Sequence, residues 1–226
     1  MTEQRVAPDR PSTREALIRA AERLFGERGI AAVSLREIAT AAGQRNNSAV
    51  AYQFGSREGL VEAVFAHRMA HIDERRRAML AATGRRRDAR ALLEAFVYPL
   101  AESLGYDGGS SWYARFLRQV VFEPGFDVFA PGRREVSGGL LEVIAGLAAG
   151  LGHLPVPLRD RRLTQMAQMV VHTLADHEAA LARGAATLAT PLLVADLVDC
   201  AQAVLEAPAS VGTERELARL TDMRGA

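Results

Sequence analysis

Apolar residues recur every three or four positions in segment after segment of this chain, interrupted by glycine, proline and short polar stretches. Between Thr13 and Arg28 the set Leu17, Ala20, Ala21, Leu24 and Phe25 falls on one side of a helix. Ser12 or Thr13 is placed to cap its start and Gly29 to stop it. The run Ser34-Leu35-Arg36-Glu37 fits an S-x-x-E capping box. Leu35, Ile38, Ala39 and Ala42 give this second, shorter helix its buried face, and Gly43 ends it. After the polar link Gln44-Arg45-Asn46-Asn47, the pattern predicts a third short helix from about Ser48 to Phe54, with Gly55-Ser56 breaking and re-capping the chain.

Longer helices are expected downstream. One covers about 58–81, with Leu60, Val61, Val64, Phe65, Met69 and Ile72 on one side. A second covers roughly 88–104, where Pro99 should kink it or mark its last turns. Others are predicted at 112–122, 132–151, 159–183 and 190–206. No strand pattern or internal repeat occurs, so the fold class is all-α. The organisation this suggests is an arm over 1–11, expected to be disordered because it carries Pro8 and Pro11 and no periodicity. A three-helix unit over 12–57, a larger helical domain over 58–207 and a polar tail over 208–226, a frayed helix or disordered, complete it.

Composition narrows the picture. At 226 residues, 49% apolar and 24% charged, the chain has the make-up of a globular protein with a substantial core. No apolar run approaches the roughly 18 residues of a membrane span, and the N-terminus has no apolar signal segment, so a cytoplasmic protein without membrane contact is expected. The single cysteine, Cys200, excludes an internal disulfide, forms no zinc pattern and reads as a packing residue in a helix. A net charge of +1 does not mark a nucleic-acid binder, so any such role rests on local placement. All 28 basic residues are arginine, which fits a coding bias first and bidentate phosphate or guanine contacts second. The arginine runs at 75–77 and 85–87 read as solvated helix ends.

The polar link and the helix after it carry the most suitable chemistry. Arg45 suits guanine O6/N7, Asn46 and Asn47 suit adenine, and Ser48 suits a base or a phosphate. Tyr52, Gln53, Ser56 and Arg57 suit phosphates, and a helix start at Ser34, beside Arg36, adds backbone N–H donors. The same stretch is equally a plain polar connection in a helical bundle, and periodicity leaves both readings open. His67 and His71, four apart, lack the HExxH glutamate, and His172, Asp176 and His177 read as hydrogen-bonding groups rather than zinc ligands. No G-x-S-x-G elbow or phosphate-cradling glycine loop occurs, so neither an enzyme nor a cofactor is expected. The alternative class is a helical-bundle metal-binding protein or enzyme without DNA binding.

From Thr13 to Phe65 the chain resembles the N-terminal domain of the TetR (tetracycline-repressor-like) family. The resemblance rests on Ala20-Ala21, Leu24-Phe25, Gly29, Ser34-Leu35, Ile38-Ala39, Ala42-Gly43, Tyr52-x-Phe54-x-Ser56-Arg57 and Leu60 at fixed spacing. The chain departs from the common pattern in one extra residue between Gly43 and Phe54, in Ala51 and Gln53 where aromatic or histidine side chains are frequent, and in Arg57 for a lysine. The resemblance implies a helix-turn-helix domain that binds a double-stranded DNA operator, followed by a helical ligand-binding and dimerisation domain. It further implies a homodimer through the last two long helices, acting as a repressor released by a small apolar effector. The helix over 58–81 is the expected lever. Phe96, Trp112, Tyr113, Phe116 and Phe122, with arginines nearby, are the aromatic set expected to line the effector pocket.

Overall fold

The computed structural model describes residues 12–44, 48–84, 87–105, 111–122 and 138–225, and these form ten α-helices with no strand among them. The first helix, α1 (Thr13–Arg28), opens on a reciprocal cap. The Ser12 hydroxyl accepts from the Glu15 N–H at 3.2 Å, and the Glu15 carboxylate accepts from the Ser12 N–H at 3.0 Å. It closes at Gly29, whose φ of 88° lies in the region that disfavours side chains. The second helix, α2 (Leu35–Ala41), repeats the device with Ser34 and Glu37, and the third, α3 (Ser48–Phe54), follows the polar link.

The connecting helix α4 (Arg57–Ala82) is capped by Ser56. Its first turns place Leu60, Val61 and Val64 against Leu17, Ile18, Ile38 and Val50 to complete a small core, all of them nearly inaccessible. Its later turns enter a larger bundle of α5 (Ala89–Glu102), α6 (Tyr113–Phe122), α7 (Gly138–Gly150), α8 (Val156–Ala182) and α9 (Thr190–Glu206). One connected set of buried residues runs through both parts. Pro99 stands three residues before the end of α5, consistent with its marking the last turn.

Helix α6 is the second bridge, packing against α1 on one side and α8 on the other. Phe116 stacks on Phe25 of α1 with ring centroids 6.3 Å apart. The close approach needs Gly26: a Cβ there would stand 2.7 Å from the Trp112 carbonyl oxygen. Beside it, Glu22 of α1 and Arg68 of α4 form a buried two-pronged ion pair at 2.7 and 2.8 Å. Two other buried carboxylates stabilise helix starts, where unpaired N–H groups and the helix dipole favour negative charge. Glu178 of α8 accepts from the N–H groups of Ala114 and Arg115 at the start of α6, and Asp73 of α4 accepts from those of Gly139 and Leu140 at the start of α7.

Three expectations change. The tail beyond 208 is helical, as α10 (Val211–Gly225), with the Ser210 hydroxyl accepting from the Thr213 N–H at its start. The run at 75–77 is not uniformly solvated: Arg75 and Arg77 are exposed and paired with Glu102 and Asp73, but Arg76 is wholly buried. It sits seven residues after Met69 and four before Leu80, on the apolar stripe of α4. Cys200 is exposed on α9 rather than packed within the chain. Arg85 and Arg86 of the second run lie outside the described residues.

Candidate nucleic-acid interface

The outer surface of the N-terminal unit is made by the start of α2 and by one side of α3. In α3, Val50 is fully buried and Phe54, four residues on, is partly buried, which turns Ala51, Tyr52 and Gln53 outward. Tyr52 is 87% exposed, an extreme value for an aromatic side chain with no neighbour covering it. Phe54 is covered by the Arg14 guanidinium, 5.1 Å from its ring centre, which fixes the end of α3 against α1. Neither Arg14 nor this contact is visible in helical periodicity, since it joins residues forty positions apart.

The α2 start is tightly held. The Ser34 hydroxyl accepts from the Glu37 N–H at 3.2 Å, and the Glu37 carboxylate accepts from the Ser34 N–H at 2.8 Å. These bonds and the Arg28 guanidinium at 2.8 Å draw the Glu37 carboxyl down to about 2. The Leu35 and Arg36 amides have no acceptor within the helix, so the α2 N-terminus retains donors for an anion such as a phosphate. The Arg36 side chain is exposed beside them.

Ser56 re-caps the chain as its position suggests, whereas Arg57 plays a part that the sequence did not reveal. The Ser56 hydroxyl accepts from the Gly59 N–H at 3.1 Å, capping α4. Arg57 is half-buried, and one guanidinium nitrogen donates to the carbonyls of Ile30 and Val33, the latter at 2.6 Å. It therefore braces the turn between α1 and α2 from the first residue of α4. Arg45, Asn46 and Asn47 lie outside the described residues, and Ser48 is described only as the first residue of α3.

Residues 17–64 match the model of the bacterial regulatory proteins, tetR family. This match covers the three-helix unit and the first turns of α4. The whole fold is similar to several solved structures. One is the fatty acid degradation regulator FadR from Bacillus halodurans, at 16% identity and TM-score 0.55, covering 86% of this chain and 99% of that one. A second is AmtR from Mycobacterium smegmatis, at 22% identity and TM-score 0.54, with 92% of each chain covered. A third is a TetR family transcription regulator from Marinobacter aquaeolei VT8, at 17% identity and TM-score 0.53, covering 83% of this chain and 94% of that one. At these identities the likeness establishes the fold. No curated protein matches the chain in sequence.

Behind the N-terminal unit, a cavity of about 50 Å³ opens between α4, α5, α6, α7 and α8, bordered by Phe65, Phe96, Leu100, Leu117 and Arg76 among others. Of the aromatic set, Phe96 borders this cavity, whereas Tyr113 and Phe116 do not. They pack instead at the α1–α6 junction, where the Arg68 guanidinium stands 5.9 Å from the centre of the Tyr113 ring. Trp112 precedes α6, with Arg115 6.0 Å from its ring centre; Phe122 ends the helix, its side chain outside the described atoms. The His177 ring is hydrogen-bonded to the hydroxyls of Thr187 and Thr190, tying α8 to the segment before α9. Among the described residues no helix is long and apolar enough to cross a membrane.

Proposed function

We propose that this protein is a cytoplasmic, dimeric, sequence-specific DNA-binding transcription regulator, acting as a repressor that a small effector releases from a near-palindromic operator. The observation that carries the reading is the outward face of α3, with Tyr52 standing clear of the protein, next to the donor-bearing start of α2 within a TetR-family domain. In a helix-turn-helix the second helix of the pair enters the major groove while the first crosses the backbone. Here α3 and the link before it, Arg45 to Ser48, would meet base edges. Ser34, Arg36, Tyr52 and Gln53 would meet phosphates, with Ser56 and Arg57 holding the frame.

Support for a dimer through α8 and α9 comes from their outward sides, where Leu181 and Leu192 are 52% and 58% exposed and Cys200 is uncovered. Two-fold pairing there would set the recognition helices about 34–36 Å apart, one turn of DNA. An effector in the cavity touches α4 and α6, the two helices that also hold the DNA-binding unit. It would favour a spacing that no longer engages both half-sites. Selection of bound sequences from a random duplex library, followed by titration of the full chain at several salt concentrations, tests the reading. The expected preference for the selected site over random DNA is on the order of 10³-fold; equal affinity for all sequences overturns it.

A further inference from the structure

We infer that the cavity behind the DNA-binding unit receives a small organic carboxylate, its charge paired with Arg76 and its hydrocarbon part against Phe65, Phe96 and Leu117. The inference rests on the effector reading above and names the chemistry of that effector.

The chain shows how it compensates a buried arginine when the pairing is purely internal. Arg68 is met by both oxygens of Glu22 at 2.7 and 2.8 Å, and Arg115 by Glu178 at 2.9 Å. Arg76, fully inaccessible, has no carboxylate this close among the described residues, only a looser ion pair with Asp73. Its Nε donates to the Ala95 carbonyl at 3.1 Å, and its Nη1 reaches the Met69 sulfur at 3.8 Å and Asp73 at 3.5 Å, all of them weak or neutral contacts. Asp73 is more closely engaged elsewhere. Arg77 stands 2.6 Å from it, and the N–H groups of Leu140 and Gly139 donate to it at 3.1 and 3.4 Å. Burial accordingly pulls the Arg76 guanidinium below the ordinary arginine value, with Asp73 only partly opposing.

This under-compensated cation borders a cavity whose other walls are mostly hydrocarbon, with Thr164 and Gln168 the remaining polar side chains. At this wall the guanidinium has only the Asp73 carboxylate, at 3.5 Å, to balance it among the described residues. A volume of about 50 Å³ has room for roughly three or four water-sized groups, which is the scale of a carboxylate with a short alkyl chain. A neutral alcohol or amide would fill the apolar walls and leave the cation unmatched. An inorganic anion would match the cation and leave the apolar walls unused.

The test uses the full chain with acetate, butanoate, butanamide and butan-1-ol at constant ionic strength, read as the midpoint of thermal unfolding and as release from a selected DNA site. Butanoate is expected to raise the midpoint in a concentration-dependent way, more than acetate does, with the amide and alcohol at least tenfold weaker. Arg76→Met, an apolar replacement of similar reach that a buried arginine site commonly tolerates, is expected to lose the butanoate response by about tenfold to a hundredfold. Equal responses to butanoate and butanamide, no gain from acetate to butanoate, or a wild-type response in Arg76→Met would each overturn the inference. Should Arg76→Met fail to fold, the acid-to-amide comparison on the wild-type chain decides alone. Sequence-specific DNA binding without a carboxylate preference refutes this inference and leaves the regulator; carboxylate-specific stabilisation without DNA binding does the reverse.

Discussion

Replacing Gly26 by alanine puts the α1–α6 junction to a quantitative test. In an exposed helix interior the change should stabilise by about 1 kcal/mol, because alanine loses less backbone freedom on folding. At this position the new methyl would stand 2.7 Å from the Trp112 carbonyl oxygen and 3.1 Å from the Trp112 Cβ, so α6 must retreat by several tenths of an ångström. Overpacking against a rigid neighbour costs about 1–3 kcal/mol, which offsets or exceeds the propensity gain. Gly146 of α7 is the control: its added methyl would stand 2.8 Å from a Leu92 methyl, the end of a side chain that can turn aside. Gly26→Ala should therefore be about 1–3 kcal/mol less stable than Gly146→Ala, a gap of about 2–12 °C in the thermal midpoint of a chain this size. Urea unfolding of the two variants and the parent measures this directly. A Gly26→Ala protein as stable as Gly146→Ala would mean that α1 and α6 are not held in the close contact described.

Arg57→Ala should lower the unfolding free energy by about 2 kcal/mol, since it deletes charge-assisted bonds to two carbonyls; unchanged stability in a urea melt would show that the guanidinium is free for phosphates. The Glu37 carboxyl lies below its ordinary value of 4.5 in the folded chain, at about 2, so its contribution to the α2 start is complete above about pH 4.5 and disappears as the pH falls towards 2. Amide exchange across α2 should follow that fall in the parent and be flat over the same range in Glu37→Gln. Tyr113→Phe removes a buried hydroxyl that has no partner among the described residues, so stability should stay constant or rise by about 1 kcal/mol. A loss of more than that would reveal a partner for the hydroxyl in solution.

The sequence marked helices well wherever a local device starts or stops them. Ser12–Glu15, Ser34–Glu37, Gly29 and Ser56 all act over three or four residues, and all can be read by eye. The fate of long side chains was less legible. Arg57, Arg68 and Arg76 look alike in composition, yet one braces a turn, one pairs with a carboxylate 46 residues away and one borders a cavity. Only the position of Arg76 on the apolar stripe of α4 hinted at burial, and a neighbouring Arg75 and Arg77 masked it. The aromatic cluster divides for a related reason. Tyr113 and Phe116 are apolar and close in sequence to the cavity wall, but helical phase turns them towards α1 while Leu117 and Val121 face the cavity. On the candidate interface, the exposure of Tyr52 follows from the burial of Val50 and Phe54, a phase that periodicity could place only once the third helix was assumed.

The carboxylate of Glu178 lends the molecule a property that concerns its assembly rather than its ligand. It leaves α8 and grips the first turn of α6, which in turn lies against Gly26 and Phe25 of α1. If α8 is where two copies meet, the seam between subunits and the reading head are only two rigid joints apart. Separating the copies would then do more than halve the number of DNA contacts: it would loosen the posture of each half that remained. A forced monomer should consequently show faster amide exchange in α1 as well as in α8.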